Sequence, residues 1–345
     1  MPLSDLAIRI DLAGFARDGR LGSFDGTLSL AQEADRLGYG GIWFNEFHFK
    51  GDTQPHPSTL LLGSAILART ERLRFGTSIL VLPLHHPLLL AEQLSQLDWQ
   101  SGGRLDVGIG RGTDPASFQA LGIDPAEARP RFEEALNILR TVWTQECVSH
   151  IGRFWSFQNV SVGPPPVQRP HPPLYMAAVS QDSIDLAVRL SLPLLYSLEP
   201  NEDRQVGPYR SALVRHGKSQ ASMNASSLSR YVFVAPRRDE ALQQLDDVTA
   251  RINARRAERA RTEGTPPPPL RSRAQMLADH AIAGTPEDCV NQINALCARH
   301  DSRSLRVFFS ANGLIPLADA LTAMRFFAAQ VLPALSHRTE KDLVT

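Results

Sequence analysis

At 345 residues, 43% hydrophobic and 21% charged, the chain can fill two domains or one large α/β barrel, and it is too apolar to be disordered. Lys+Arg 36 balance Asp+Glu 36, so charge gives no reason to expect nucleic-acid or membrane-surface binding. Cys147, Cys289 and Cys297 are too few for a disulfide scaffold and lack metal-ligand spacing; reduced core thiols of a cytoplasmic protein are expected, with no signal peptide in Met1-Pro2-Leu3-Ser4-Asp5 and no membrane-spanning apolar run.

Short β-rich runs alternate with longer amphipathic ones. A strand is expected at 7–11, then a helix at 27–37 that Gly38 stops. A strand at 41–45 precedes a helix at 58–70, entered through Pro57. A strand at 73–82, a helix at 87–100, a strand at 104–109 and a helix at 126–144 follow. Further strands are expected at 174–179, 192–197 and 230–234, each with a helical run behind it. The last pair is a strand at 304–309 and a helix at 317–335. Eight strand–helix units without a run of hairpins imply a parallel sheet closed as a (β/α)8 TIM barrel with loop insertions, a single domain over 1–345. An open doubly wound sheet should carry a dinucleotide fingerprint after its first strand, and Leu12-Ala13-Gly14-Phe15-Ala16 is none. Residues 148–173 hold six prolines and cannot be helical. Pro266-Pro267-Pro268-Pro269 lies in a loop before the last strand, where a barrel keeps active-site loops, and a lid is expected there.

Three strand ends carry candidate chemistry. Gly108-Ile109-Gly110-Arg111-Gly112 closes the fourth strand: glycines let a backbone approach an anion, and the guanidinium can clamp a phosphate. Ser180 and Ser183 open a helix after the fifth strand, where free N–H groups and two hydroxyls favour an anion. Glu46 and His48 follow the second strand, a carboxylate and an imidazole suited to acid–base work. His85 and His86 precede Pro87, and capping and packing is the reading for His85. Glu46, His48, His56, His85 and His86 could together ligate a metal, but no pair has helical ligand spacing, so no metal is expected.

Taken in order, these motifs resemble the bacterial luciferase-like flavin monooxygenases. The resemblance runs through Trp43-Phe44-Asn45-Glu46-Phe47-His48-Phe49, Gly76-Thr77-Ser78-Ile79-Leu80-Val81-Leu82-Pro83, His86-Pro87, Leu97-Asp98, Ser101-Gly102-Gly103-Arg104, the Gly108–Gly112 turn, Gly284-Thr285-Pro286-Glu287 and Phe309-Ser310-Ala311-Asn312-Gly313. It implies a barrel that uses reduced FMN from a separate flavin reductase, with O2, to oxygenate a small organic substrate, in a homodimer. Arg111, Ser180 and Ser183 would hold the FMN phosphate, with Gly110 and Gly112 in the same turn. Ser78 and Ile79 would form a non-proline cis peptide beneath the flavin ring. His48 and Glu46 would face the chemistry. Phe47 stands where luciferase has its catalytic histidine, Gly110 where it has a reactive cysteine, and Val179 where a carboxylate precedes the serine. These departures keep two alternatives open: a deazaflavin-dependent hydride-transfer enzyme, and a non-catalytic flavin-binding subunit of a luciferase-like pair.

Overall fold

The computed structural model describes residues 7–14, 24–51, 56–199 and 201–336. The N-terminal reading at residues 1–5, and Phe15 and Ala16 after the first strand, lie outside them. In chain order the strands are β1 Arg9–Leu12, β2 Gly41–Phe44, β3 Arg74–Val81, β4 Leu105–Gly110, β5 Val148–Ile151, β6 Ser156–Val160, β7 Leu174–Met176, β8 Ser227–Val234, β9 Ala281–Gly284 and β10 Ser304–Phe308. The chain divides into two compact units: the first is Gly22–Asp35 with Gly40–Ala178, the second the remainder.

In the first unit β7, β4, β3 and β2 lie side by side, all parallel. β2 and β4 are buried along their whole length, as parallel strands covered on both faces must be. Arginines tie the strand starts to one another and to a helix end. Arg74 makes a two-pronged contact with Asp106 at 2.8 and 2.9 Å. Arg104 donates to the Leu67 carbonyl at 2.8 Å, an acceptor left over at the end of helix Thr59–Leu67, and to the Leu73 carbonyl just before β3 at 2.9 Å. Asp98 accepts from the Gln168 backbone and side chain at 2.9 and 2.7 Å. Asp98 and Arg104 of the resemblance are thus scaffold residues.

The non-helical stretch 148–173 interrupts the alternation with a hairpin: β5 and β6 pair antiparallel ahead of the prolines. Glu134, on helix Ala128–Thr144, holds its tip by accepting from Phe154 N, Trp155 N and His150 Nε2 at 3.2, 3.0 and 3.1 Å. A contact between a helix and a loop twenty residues on leaves no periodic trace in sequence.

In the second unit β1, β10, β8 and β9 lie side by side, also parallel. Each unit therefore supplies four parallel strands, but the membership differs from the expected eight. The run 192–197 contributes only a bridge between Leu195 and Ser227, because Pro193 has no N–H to give a ladder. β9, Ala-Ile-Ala-Gly, takes its place beside β8; with one β-branched residue in four it carries almost no strand signal. β8 is buried throughout, including Arg230, whose Nη1 donates to buried Glu202 at 2.8 Å. Thr285 and Asp288 form a reciprocal cap on helix Pro286–Arg299. The proline loop at 263–272 is strapped to helix Arg238–Thr262: Arg256 donates to the Pro269 carbonyl at 2.9 Å, and Asn253 bonds Arg271 in both directions.

Cys289 and Cys297 are buried, and burial pushes each thiol up to about 12. Cys147 is exposed, a correction to the core reading, because it sits in the turn between helix Ala128–Thr144 and β5. No helix among the described residues is long and apolar enough to cross a membrane.

Candidate active site

The C-terminal ends of β2 and β3 meet at Glu46. Its carboxylate is buried, and each oxygen is used: Oε2 accepts from the Val81 backbone at 2.6 Å, and Oε1 accepts from His48 Nε2 at 2.9 Å and His85 Nε2 at 2.7 Å. Burial alone would raise the carboxyl. The hydrogen bonds from His48 and His85, the nearby His85 ring and the Val81 N–H together outweigh it and hold Glu46 at about 2. Glu46 is therefore ionised at neutral pH and can only accept. The hydrogen bond to Glu46 raises His48, burial opposes the rise, and the charge of Glu46 adds to it.

The structure brings together two of the expected residues, Glu46 and His48, and adds a third. His85 caps the turn Leu82–Leu84, its N–H donating to the Leu82 carbonyl at 3.1 Å, while His86 occupies the N-cap of helix Pro87–Gln100; beyond that capping role, the His85 ring lies on Glu46. The sequence signal was its place two residues beyond Pro83 at a strand end, which capping explained equally well. His56 instead bonds Thr27 at 3.1 Å, and His86 lies edge-on to Trp155. The ligand atoms of Glu46, His48 and His85 lie within 4.8 Å of one another, which is compact enough for a metal. In the hydrogen-bonded arrangement, however, both Nε2 atoms carry their hydrogen toward an ionised carboxylate and offer no lone pair there.

Beside this cluster, the Ser78–Ile79 peptide is cis, as the resemblance implied. The β3–β4 register shifts between Thr77 and Leu80, and Thr77 Oγ1 bridges the break by bonding both Gly108 O and Gly108 N, at 2.8 and 2.9 Å. Sequence reading missed Thr77, since a strand threonine looks like ordinary β filler. A Cβ on Gly110 would stand 2.0 Å from Ile79 Cδ1. The space a cysteine would need is thus filled by the isoleucine, which accounts for glycine at this position. Gly112 has φ +79°, and a Cβ there would lie 2.5 Å from Val81 Cγ1. Between the two glycines Arg111 is exposed, with no hydrogen bond or ion pair among the described residues. Lys50 is paired with Asp114 at 2.9 Å.

In the second unit, Ser180 caps helix Gln181–Arg189 and accepts from Ser183 N at 3.4 Å, while the Ser183 hydroxyl donates to the Ser180 carbonyl at 2.8 Å. The Ser180 hydroxyl in turn donates to Ser183 Oγ at 3.0 Å, so the geometry is that of the N-cap, with both hydroxyl hydrogens used within the pair.

The luciferase-like monooxygenase family model matches residues 10–301. The 4-hydroxyprotoasukamycin monooxygenase of Streptomyces nodosus subsp. asukaensis is 30% identical over 282 residues, 77% of this chain and 75% of that protein. The oxygenase component of the flavin-dependent trigonelline monooxygenase of Acinetobacter baylyi is 30% identical over 226 residues, 63% of this chain and 61% of that protein. Among solved structures, the oxygenating constituent of 3,6-diketocamphane monooxygenase from Pseudomonas putida, in complex with FMN, superimposes with a TM-score of 0.78 at 21% identity, covering 95% of this chain and 98% of that one. The fold is accordingly the (β/α)8 TIM barrel of these enzymes. The chain belongs to the luciferase-like monooxygenase family and is an enzyme of the flavin-dependent monooxygenase class.

Proposed function

We propose that the protein uses reduced FMN and O2 to place one oxygen atom in a small, partly apolar organic substrate, as the oxygenase component served by a separate flavin reductase. The observation that carries this reading is the ionised Glu46 with two imidazoles on one oxygen, on the strand ends that also present the Gly110-Arg111-Gly112 turn. These residues fit a flavin. An exposed guanidinium with no partner among the described residues offers charge for a phosphate, and the two flanking glycines leave bare backbone.

Bound reduced flavin supplies the electrons that activate O2. In this reading Arg111 holds the phosphate. Ser78, Ile79 and Gly110 border the ring. His48 handles the proton. Its Nε2–H is tied to Glu46, so Nδ1 is the atom that gives and takes. Phe49, 62% exposed and held at φ +58° beside the His48 ring, supports an apolar substrate. Leu61, Leu89 and Trp99 are exposed on helices Thr59–Leu67 and Pro87–Gln100, which supports a homodimer.

The test is oxygen consumption with reduced FMN and a reductase across substrate classes, read by mass spectrometry for one added oxygen atom from 18O2. Substrate-dependent labelling is expected. Tight deazaflavin binding with hydride transfer and no oxygen uptake would replace the reading with a dehydrogenase. FMN binding without turnover on any class would leave a non-catalytic subunit.

A further inference from the structure

We propose that the proline run at 266–270 is a docking ridge for a partner protein that reads a polyproline II helix through an aromatic-lined groove with an acidic rim. The ridge lies wholly within the second unit, and its recognition does not depend on flavin chemistry.

Pro266-Pro267-Pro268-Pro269-Leu270 follows helix Arg238–Thr262 and belongs to no helix or strand. Proline fixes its own φ and pushes the residue before it to extended backbone, so four in a row form a polyproline II helix. With about three residues per turn, Pro266 and Pro269 share one face, Pro267 and Leu270 the second, and Pro268 stands on the third. Exposure follows that period. Pro268 is half-buried, whereas Pro266, Pro267, Pro269 and Leu270 are exposed, Leu270 at 75%. Two faces are thus presented to solvent, as a PxxP ligand requires.

The far end of the ridge is anchored. Arg256 donates to the Pro269 carbonyl at 2.9 Å, Asn253 bonds the Arg271 backbone at 3.0 and 2.9 Å, and the Arg271 guanidinium pairs with Glu199 at 2.6 Å. A segment held in its extended form spares a partner the cost of ordering it.

Charge narrows the partner. Between positions 251 and 273 stand seven arginines and two glutamates, with no lysine or aspartate, in a chain whose net charge is zero. Arg271 and Arg273 are taken up by Glu199 and Asp246. Arg259 and Arg261, at the helix end that leads into the prolines, meet Glu263 and Glu258 in exposed pairs, which contribute little in water. Both can turn to acidic side chains of a partner at little cost to the fold.

The probe is a 15N-labelled SH3 domain, whose groove has this chemistry, titrated with the full-length protein and followed by NMR at its groove residues. Saturable movement of those resonances is expected, and added salt should weaken it. Leu270→Asp alters an exposed side chain, so the melting temperature should hold while binding weakens at least about tenfold. The double variant Arg259→Gln, Arg261→Gln should weaken binding severalfold and remove most of the salt dependence. No movement with the wild-type protein overturns the proposal. Binding that survives Leu270→Asp, or that survives loss of the groove tryptophan in the SH3 domain, overturns it too, because the contact then lies elsewhere. Cosedimentation with phosphatidylglycerol vesicles in place of SH3 binding would make the arginines a lipid-headgroup surface and overturn it equally.

Discussion

Arg111 is an exposed cation with no partner among the described residues, and that isolation makes its substitution informative. Removing it breaks no hydrogen bond or ion pair among the described residues, so Arg111→Ala should leave the melting temperature nearly unchanged. A charge-assisted bond to phosphate is worth about 1.5–3 kcal/mol, so FMN should bind roughly ten- to a hundredfold more weakly. Isothermal titration with FMN and with riboflavin checks this: the loss should vanish for riboflavin, which has no phosphate. Equal losses for both ligands would move the phosphate elsewhere. His48 makes the complementary case. General acid–base groups contribute about a hundredfold to ten-thousandfold, and His48→Ala should lower single-turnover product formation within that range while FMN affinity stays near wild type. A variant that melts earlier yet turns over normally per folded molecule would make His48 a packing residue. Glu46 and His48 were legible because their residue types at a strand end imply acid–base chemistry. His85 was not, because a histidine before a helix-starting proline has a sufficient explanation in capping. Only the turn at Leu82–Leu84 shows which way its ring points.

Among the elements, β3 organises the first unit. It pairs with β2 on one side and β4 on the other, and its end supplies the cis peptide and the Val81 donor. Its register with β2 places Gly76 against Trp43, and a Cβ at 76 would stand 2.2 Å from Trp43 Cδ2. The indole is 2% exposed and lies edge-on to Tyr175, so it has little room to retreat. Gly76→Ala should therefore cost about 1–3 kcal/mol through overpacking and lower the thermal midpoint. Trimming the obstacle in the double variant Gly76→Ala, Trp43→Phe should recover part of the loss relative to the sum of the single changes. Strict additivity would mean that the clash is relieved by backbone movement instead. Helix Pro87–Gln100 was read with its true limits because a proline starts it and Gly102-Gly103 follow it. β9 was missed for the opposite reason: small residues without alternation are strand only because β8 is there to pair with them.

For the molecule as a whole, carboxyls lowered by the fold shape the response to acid, and among the described residues the buried Glu46 and Glu202 are lowered most. Glu46 and Glu202 each sit at about 2 in the fold. In both, burial works upward and is outweighed, by His48 and His85 in one case and by Arg230 and His300 in the other. A carboxyl lowered on folding stabilises the native state fully above its unfolded value, here 4.5, and that contribution disappears as the pH falls from 4.5 toward 2. The urea midpoint should thus be nearly level above about pH 5 and drop steeply below about pH 4, with net proton uptake on unfolding in that window. Glu46→Gln should flatten the drop. A midpoint that does not change between about pH 5 and about pH 3 would show that neither carboxyl is held down as the geometry demands.

Taken alone, the sequence determined the alternation of parallel strands and helices, the family, the flavin chemistry that family implies, and the strand ends where the chemistry gathers. Periodicity, proline and glycine punctuation, and short motifs are local properties, and they survive without any knowledge of what packs on what. Tertiary structure alone decided which partners those residues meet. It turned His85 onto Glu46, filled the place beside Gly110 with Ile79, gave Asp98 and Arg104 to the scaffold, and moved a strand from 192–197 to Ala281–Gly284. Each of these depends on contacts between residues tens of positions apart. Such contacts are selected by the fit of side-chain volume and hydrogen-bonding capacity in space, which no local pattern encodes.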